Sequence, residues 1–316
     1  MAVIMYQLLL GDCIEVLKTL DAGSVQTCVT SPPYYGLRDY GHDGQIGLEE
    51  TPEAYVAKLV DVFREVRRVL HSTGTIWVNL GDSYVGSANS GGSGPRGDGG
   101  IPYRVEGLPT KKGDGMKPKD LMGIPWLVAF ALRADGWWLR SDIIWAKKNC
   151  MPESVMDRPT RSHEYIFLLS KSSKYFYDTD AIREPYNESS LGRYKYEFGK
   201  GSAAAIAKSP AVGNGDGHNA DPNPSGRNKR SVWFVSTKSY SGAHFATFPP
   251  DLIEPCILAG SKAGDTVLDP FNGSGTTGAV SLKHNRNYIG IELNPEYIEL
   301  AHSRITQAQP LLLGVV

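Results

Sequence analysis

Val267-Leu268-Asp269-Pro270-Phe271-Asn272-Gly273-Ser274-Gly275-Thr276-Thr277-Gly278 is the stretch on which the fold turns. Asp265 to Asp269 reads as a buried strand, the glycines turn the backbone, and Thr276 opens a helix to His284. Glycines let the main chain approach a ligand closely, and N–H groups at the helix start face it. The spacing Gly273-x-Gly275-x-x-Gly278 fits a dinucleotide fingerprint. Glu292 ends the next predicted strand, Asn287 to Glu292, 17 residues after Gly275. A carboxylate there is placed to accept hydrogen bonds from two ribose hydroxyls. Without Asp269 and Glu292 a turn serving only helix–strand packing would be the lesser alternative reading of the glycines.

Two features favour S-adenosylmethionine over a nicotinamide dinucleotide. Asp269 precedes the glycines, where a carboxylate can hold the ammonium of a methionine moiety and would repel a pyrophosphate. In addition, a single βαβ unit follows Asp265, too little for a whole nucleotide fold. The rest of the sheet must come from the N-terminal two-thirds, so the binding half comes last.

Working outward, Asp251 to Ala259 is predicted helical, and Asn294-Pro295-Glu296 caps a final helix to about Gln307. Upstream, Val25 to Thr30 is a strand that stops at Ser31-Pro32-Pro33. Thr51-Pro52-Glu53 opens a helix with Tyr55, Leu59, Val62, Phe63, Val66 and Leu70 on one face. Thr75 to Leu80 follows as a strand and Ile124 to Ala134 as a helix; Trp137 to Ala146 and Glu164 to Ser170 read as paired strands. Alternating strands and helices imply an α/β fold with a mainly parallel sheet.

The 316 residues are 41% hydrophobic and 21% charged, which favours a sizeable core over wholesale disorder. With 33 Lys and Arg against 34 Asp and Glu, binding of polyanions by bulk charge is excluded, and a local basic groove is not. The chain has 35 glycines, above the usual share of about 7%, and many fall in two polar stretches. Residues 85–120 read as a flexible glycine-rich insertion and residues 185–240 as a second one. No apolar run approaches a membrane span, and no secretion signal is read at Met1 to Leu10. Cys13, Cys28, Cys150 and Cys256 are far apart, and the seven histidines are scattered, so neither a disulfide framework nor a metal site is indicated. A soluble, cytoplasmic protein without membrane partners is expected.

Thr30-Ser31-Pro32-Pro33-Tyr34-Tyr35 follows a predicted strand, where α/β active sites sit. Two prolines fix φ and remove two N–H donors, leaving rigidly aimed carbonyl acceptors. An exocyclic base amine is a poor nucleophile because its lone pair is delocalised into the ring. Acceptors around its two N–H bonds, here the Ser31 hydroxyl and Pro32 carbonyl, can free that lone pair. Tyr34 offers a face on which a flipped base stacks.

With these two motifs in this order, the sequence resembles the β class of S-adenosylmethionine-dependent DNA amino-methyltransferases, and its Ser-Pro-Pro-Tyr form resembles the cytosine-N4 members most. The resemblance implies a single Rossmann-like methyltransferase domain over 1–316, a mixed, mainly parallel sheet with helices on both faces, and a circularly permuted motif order. It implies Ser31, Pro32, Pro33 and Tyr34 as the catalytic motif. It places Asp269, Pro270, Phe271, Gly273, Ser274, Gly275 and Thr276 around the cofactor and Glu292 on its ribose. Gly11-Asp12-Cys13 resembles the adenine-contacting segment, with Asp12 near the adenine amine. His244-Phe245-Ala246-Thr247-Phe248-Pro249 resembles the segment at the methionine end, with Thr247 as a contact. Arg158 to Tyr165 resembles a stretch in members with serine at the catalytic motif.

The implied reaction is site-specific methylation of cytosine N4 in double-stranded DNA by base flipping. Adenine N6 is the alternative, although Ser31 departs from the Asp or Asn that is usual at the first motif position there. The Asn-Pro-Pro-Tyr form used on protein glutamine or RNA is not matched. A nicotinamide-dependent dehydrogenase is disfavoured by Asp269 and the motif order, and a catalytically idle DNA-binding protein by the intact Ser31 and Tyr34. Pro255-Cys256 mimics a cytosine-C5 nucleophile but lies in an apolar helix, where a buried thiol is expected. His163 and Glu164 read as a structural or DNA-facing pair, and Gly81-Asp82-Ser83-Tyr84 as either a pocket wall or an ordinary strand-end turn. Arg133 to Lys174 holds eight Lys or Arg against five Asp or Glu, and Tyr186 to Phe245 eight against four. Residues 185–240 are expected to read the DNA sequence and the loop 85–120 to close over the duplex. A homodimer and a cognate restriction endonuclease are candidate partners.

Overall fold

The computed structural model describes residues 4–37, 39, 41–85, 115–150, 152–187, 223, 225–237 and 248–308. Within them the chain forms two compact units, Met1–Tyr177 with Ser231–Val316, and Asp178–Arg230.

The larger unit is an eight-stranded sheet. Its strands are β1 (Tyr6–Leu10), β2 (Val25–Thr30), β3 (Leu70–Leu80), β4 (Trp138–Ala146), β5 (His163–Ser170), β6 (Val232–Phe234), β7 (Thr266–Asp269) and β8 (Asn287–Glu292), in the order β1-β8-β7-β2-β3-β5-β4-β6. All run the same way except β5, which is antiparallel to both β3 and β4. The helices are α1 (Cys13–Thr19), α2 (Pro52–Val69), α3 (Ile124–Ala134), α4 (Pro250–Gly260), α5 (Thr276–Lys283) and α6 (Pro295–Ala308).

Successive strand residues point to opposite faces, and both faces are covered. Cys28, Ile76, Val78, Leu268 and Ile291 join a core with Leu17 of α1, the Tyr55–Val66 face of α2 and Val128 and Leu132 of α3. On the other face Gly260 of α4 abuts Thr27 and Trp77, and Gly278 of α5 abuts Tyr288 and Ile305 of α6. The α2 start follows its sequence signals: the Thr51 hydroxyl accepts from the Ala54 N–H, and Pro52 takes the first turn.

Several boundaries differ from the sequence reading. Leu70 ends the apolar α2 periodicity but is already strand, pairing with Val25. The strand β1, the helix α1 and the three-residue β6 carry no sequence pattern strong enough to announce them. Residues 232–234 also correct the expected second insertion: they pair with Ile144, Trp145 and Ala146 as a sheet edge, because Trp233 is buried there. Of the first insertion, 86–114 lie outside the described residues, and Tyr84 bridges Leu121 across its base. Of the second, 188–222, 224 and 238–240 do.

The smaller unit shows a short 3-10 helix, Asp180–Ile182, and an antiparallel bridge between Glu184 and Arg227. The Glu184 carboxylate lies 3.5 Å from Arg227, 3.7 Å from Lys229 and 3.2 Å from Arg230.

Candidate active site

The chain leaves β2 through α2 toward one side of the sheet and leaves β7 through α5 toward the other. The seam between β7 and β2 is therefore the topological switch point, where open α/β sheets hold ligands outside the carboxyl ends of their strands. At that edge β1 ends in Gly11-Asp12, β8 in Glu292, β7 in Asp269 and β2 in Thr30-Ser31. Neighbouring strands are about 4.8 Å apart, so these four ends span about 14 Å.

On the β1–β8–β7 side the site is shaped by main chain. Asp12 caps α1, its Oδ1 accepting from the N–H groups of Ile14 (2.9 Å) and Glu15 (3.1 Å). Oδ2 has no protein partner among the described residues. Gly11 donates its N–H to the Glu292 carbonyl at 2.9 Å, which ties β1 to β8. Cys13 is buried, and burial pushes its thiol up to about 12, so it acts as an inert apolar side chain. The Glu292 carboxylate accepts the Gly273 N–H at 2.7 Å and the Asn294 N–H at 2.9 Å, one on each oxygen, and burial raises its pKa.

Gly273 and Gly275 both have positive φ, 51° and 77°. A Cβ on Gly275 would come within 2.8 Å of the Ala301 Cβ, whereas one on Gly273 would meet only the Phe271 carbonyl oxygen at 3.9 Å. Gly275 is thus required by packing, whereas the space beside Gly273 is open. Buried Ser274 and Thr276 turn their hydroxyls to Arg304 Nη1, both at 2.7 Å. Both hydroxyls are therefore engaged within the protein. Pro270 is buried and Phe271 half-buried.

Asp269 departs from the reading that it faces an ammonium. It is 1% exposed, and its carboxylate accepts from the Thr30 hydroxyl (2.6 Å), the Thr277 hydroxyl (2.7 Å) and the Phe271 N–H (3.0 Å). A carboxylate this deep needs donors, and the seam supplies them from both sides. Burial still wins over these bonds and raises its pKa to about 6. Asp269 therefore laces the glycine turn to the residue just before Ser31.

On the β2 side the Pro33 carbonyl accepts the Tyr55 hydroxyl at 2.8 Å. The Pro32 carbonyl has no donor among the described residues. Tyr34 donates its hydroxyl to Glu164 Oε2 at 2.7 Å and lies 3.3 Å from Asn79 Oδ1. Burial and the Glu164 carboxylate push its phenol well above the usual range, while Ser31 pulls it partly back. Asn79, Glu164 and Lys147 were not picked out as a group by sequence reasoning, because they lie on three separate strands or strand ends. The four-residue turn 81–84 serves packing and capping: Gly81 abuts the Tyr34 ring, and Asp82 accepts from the N–H groups of Gly123 and Ile124 at the start of α3. Arg161 lies 3.7 Å from Asp82.

Cys256 is fully buried, its Sγ 3.8 Å from the Leu252 carbonyl, with no access for a nucleophilic role. Thr247 and the segment 244–246 lie outside the described residues. Among the described residues no group of three or more His, Cys, Asp or Glu could hold a metal ion, and no helix is long and apolar enough to cross a membrane.

The DNA methylase family profile, N6_N4_Mtase, matches residues 25–303. The type II methyltransferase M.Cfr9I of Citrobacter freundii is 50% identical over 295 residues, covering 93% of this chain and 86% of that protein. The solved PvuII DNA methyltransferase, cytosine-N4-specific, aligns with a TM-score of 0.62 at 19% identity over 96% of this chain and 91% of its own. The complex of M1.HpyAVI with SAM aligns with a TM-score of 0.54 at 20% identity over 95% and 99%. The two structures support the Rossmann-like fold.

Proposed function

This chain belongs to the N6/N4 DNA methylase family, and from that premise we propose that it methylates the N4 amine of cytosine in double-stranded DNA, using S-adenosylmethionine. One observation carries the reading: the order of groups along the strand ends. Asp12 with a spare acceptor oxygen, Glu292 with one bond on each oxygen, the open turn at Gly273 and then Ser31 to Tyr34 follow one another across the sheet. A ligand with an amine at one end, a diol in the middle and its reactive group at the other fits that order.

Asp12 would accept from the adenine amine and Glu292 from the ribose hydroxyls, while the main chain around Phe271 and Gly273 would hold the methionine end. Bound there, S-adenosylmethionine supplies a methyl group made electrophilic by its sulfonium. The remaining work belongs to the chain. The Ser31 hydroxyl and Pro32 carbonyl accept the two N–H bonds of the amine and turn its lone pair toward the methyl carbon. Tyr34 stacks the flipped base. The methylated nitrogen sheds its extra proton readily, so no strong base is needed, and catalysis is mostly alignment. Asp269 keeps the two motifs in register.

Serine at position 31 supports cytosine over adenine, because a neutral hydroxyl stands where adenine-N6 members carry Asp or Asn. The naming of M.Cfr9I as a type II methyltransferase supports a role in restriction–modification, with a cognate endonuclease as partner. Incubating the protein with labelled cofactor and unmodified DNA, then digesting to nucleosides, should yield N4-methylcytosine by mass spectrometry. N6-methyladenine would move the target to adenine within the same family, and 5-methylcytosine or no transfer would overturn the reading.

A further inference from the structure

Glu164 is the second residue of β5, and the antiparallel course of that strand returns it to the edge where β3 and β4 end. Its carboxylate gathers donors from three other segments. Tyr34 Oη and Asn79 Nδ2 donate to Oε2 at 2.7 and 3.2 Å, and Lys147 Nζ donates to Oε1 at 2.5 Å. Asn79 is held in turn by a bond from Nδ2 to the Tyr165 carbonyl at 3.0 Å, and the Lys147 ammonium lies 4.8 Å over the Trp145 ring. The Lys147 and Glu164 side chains are 22% and 13% exposed, so the pair is largely withdrawn from water and its bonds are of the stronger, charge-assisted kind.

A phenol oxygen lies on the long axis of its ring. A hydrogen bond to it fixes where the axis points and leaves rotation about the axis free. Gly81 removes that freedom: a Cβ there would fall 2.5 Å from Tyr34 Cε2 and 3.1 Å from Cδ2, so the ring rests directly on the glycine. Axis and rotation are then both set before any base arrives.

We propose that Glu164, anchored by Lys147 and Asn79, is a positioning residue that holds Tyr34 as a preformed platform for the flipped base. The inference rests on the reading that Tyr34 faces the base. Glutamine at 164 would give its one oxygen to Lys147 and turn its NH2 toward the phenol and the Asn79 amide, breaking the arrangement without changing its volume.

A double-mutant cycle on the full chain tests this, with Tyr34→Phe, Glu164→Gln and the pair. The readouts are kcat and KM on unmodified plasmid DNA, S-adenosylmethionine affinity by calorimetry, and thermal melting. Each single change should lower kcat about tenfold, and the pair should be no slower than the worse single, because both break the same Tyr34–Glu164 bond. Cofactor affinity should stay within about twofold. Lys147→Met reaches the same carboxylate from the far side and decides the matter if Glu164→Gln does not fold. It should lower kcat about fivefold alone and not at all beside Tyr34→Phe. Losses that multiply in either cycle, or wild-type kcat in Glu164→Gln, overturn the clamp. Wild-type kcat in Tyr34→Ala would instead overturn the stacking role of Tyr34.

Discussion

The two halves of the site edge are built differently. On the β1–β8–β7 side one contiguous turn, 269–278, does most of the shaping, and its bonds run through main-chain N–H groups: Phe271 to Asp269, Gly273 to Glu292, Gly275 to the Asn272 carbonyl. On the β2–β3–β5–β4 side, side chains at 34, 79, 147 and 164 meet around one carboxylate, with partners up to 130 residues apart in sequence. The first half is a shape; the second is a charged network. Damage to the first should register mainly as cofactor affinity and damage to the second as turnover.

The largest effect is expected where the halves join. Asp269→Ala strands two buried hydroxyls and an N–H, and should cost roughly 3–5 kcal/mol in urea denaturation together with most activity. A loss under about 1 kcal/mol would mean that this carboxylate does not brace the seam.

The same residue makes a pH prediction. Its pKa is about 6 in the fold against an ordinary 3.8, so the folded state binds the proton more tightly than the unfolded chain. Its stability contribution is complete below about pH 4 and is lost as pH rises through about 6, by roughly 3 kcal/mol at most. Denaturation curves at pH 4 and 7 should show that fall in the native chain and a shallower one in Asp269→Asn.

Gly81→Ala probes the base half. The added methyl would push the Tyr34 ring off its seat, lowering kcat about a hundredfold with calorimetric cofactor affinity unchanged. The reverse pattern would erase the division between the halves. Gly273→Ala is its counterpart and the mildest of the set. The position is open, so only the positive φ opposes a side chain, at roughly 1 kcal/mol. Cofactor affinity should fall about fivefold and kcat barely move.

Much of this was legible in the chain itself where the information is local. The strands β2, β7 and β8, the helices α2 to α6 and the pairing of β4 with β5 follow from apolar periodicity, prolines and caps. The strand β1 was not legible, because Tyr6-Gln7-Leu8-Leu9-Leu10 alternates poorly and borrows its order from β8. Leu70 fits a helical face by spacing and became strand because its neighbour Val25 needed a partner. In the site, Ser31 to Tyr34 and the glycines could be read directly, whereas Glu164 acquires its place from the register Leu80↔Tyr165 and Asn79↔Ile166, which no local pattern encodes.

By itself, then, the sequence determined the motif order, the glycine turn and the proline-stiffened segment 31–34, because backbone dihedrals at glycine and proline are local properties. Only the tertiary structure decided that Asp269 and the hydroxyls of Ser274 and Thr276 face inward and that Glu164 holds Tyr34. A buried polar group goes where its donors and acceptors are, and here those come from strands distant in the chain.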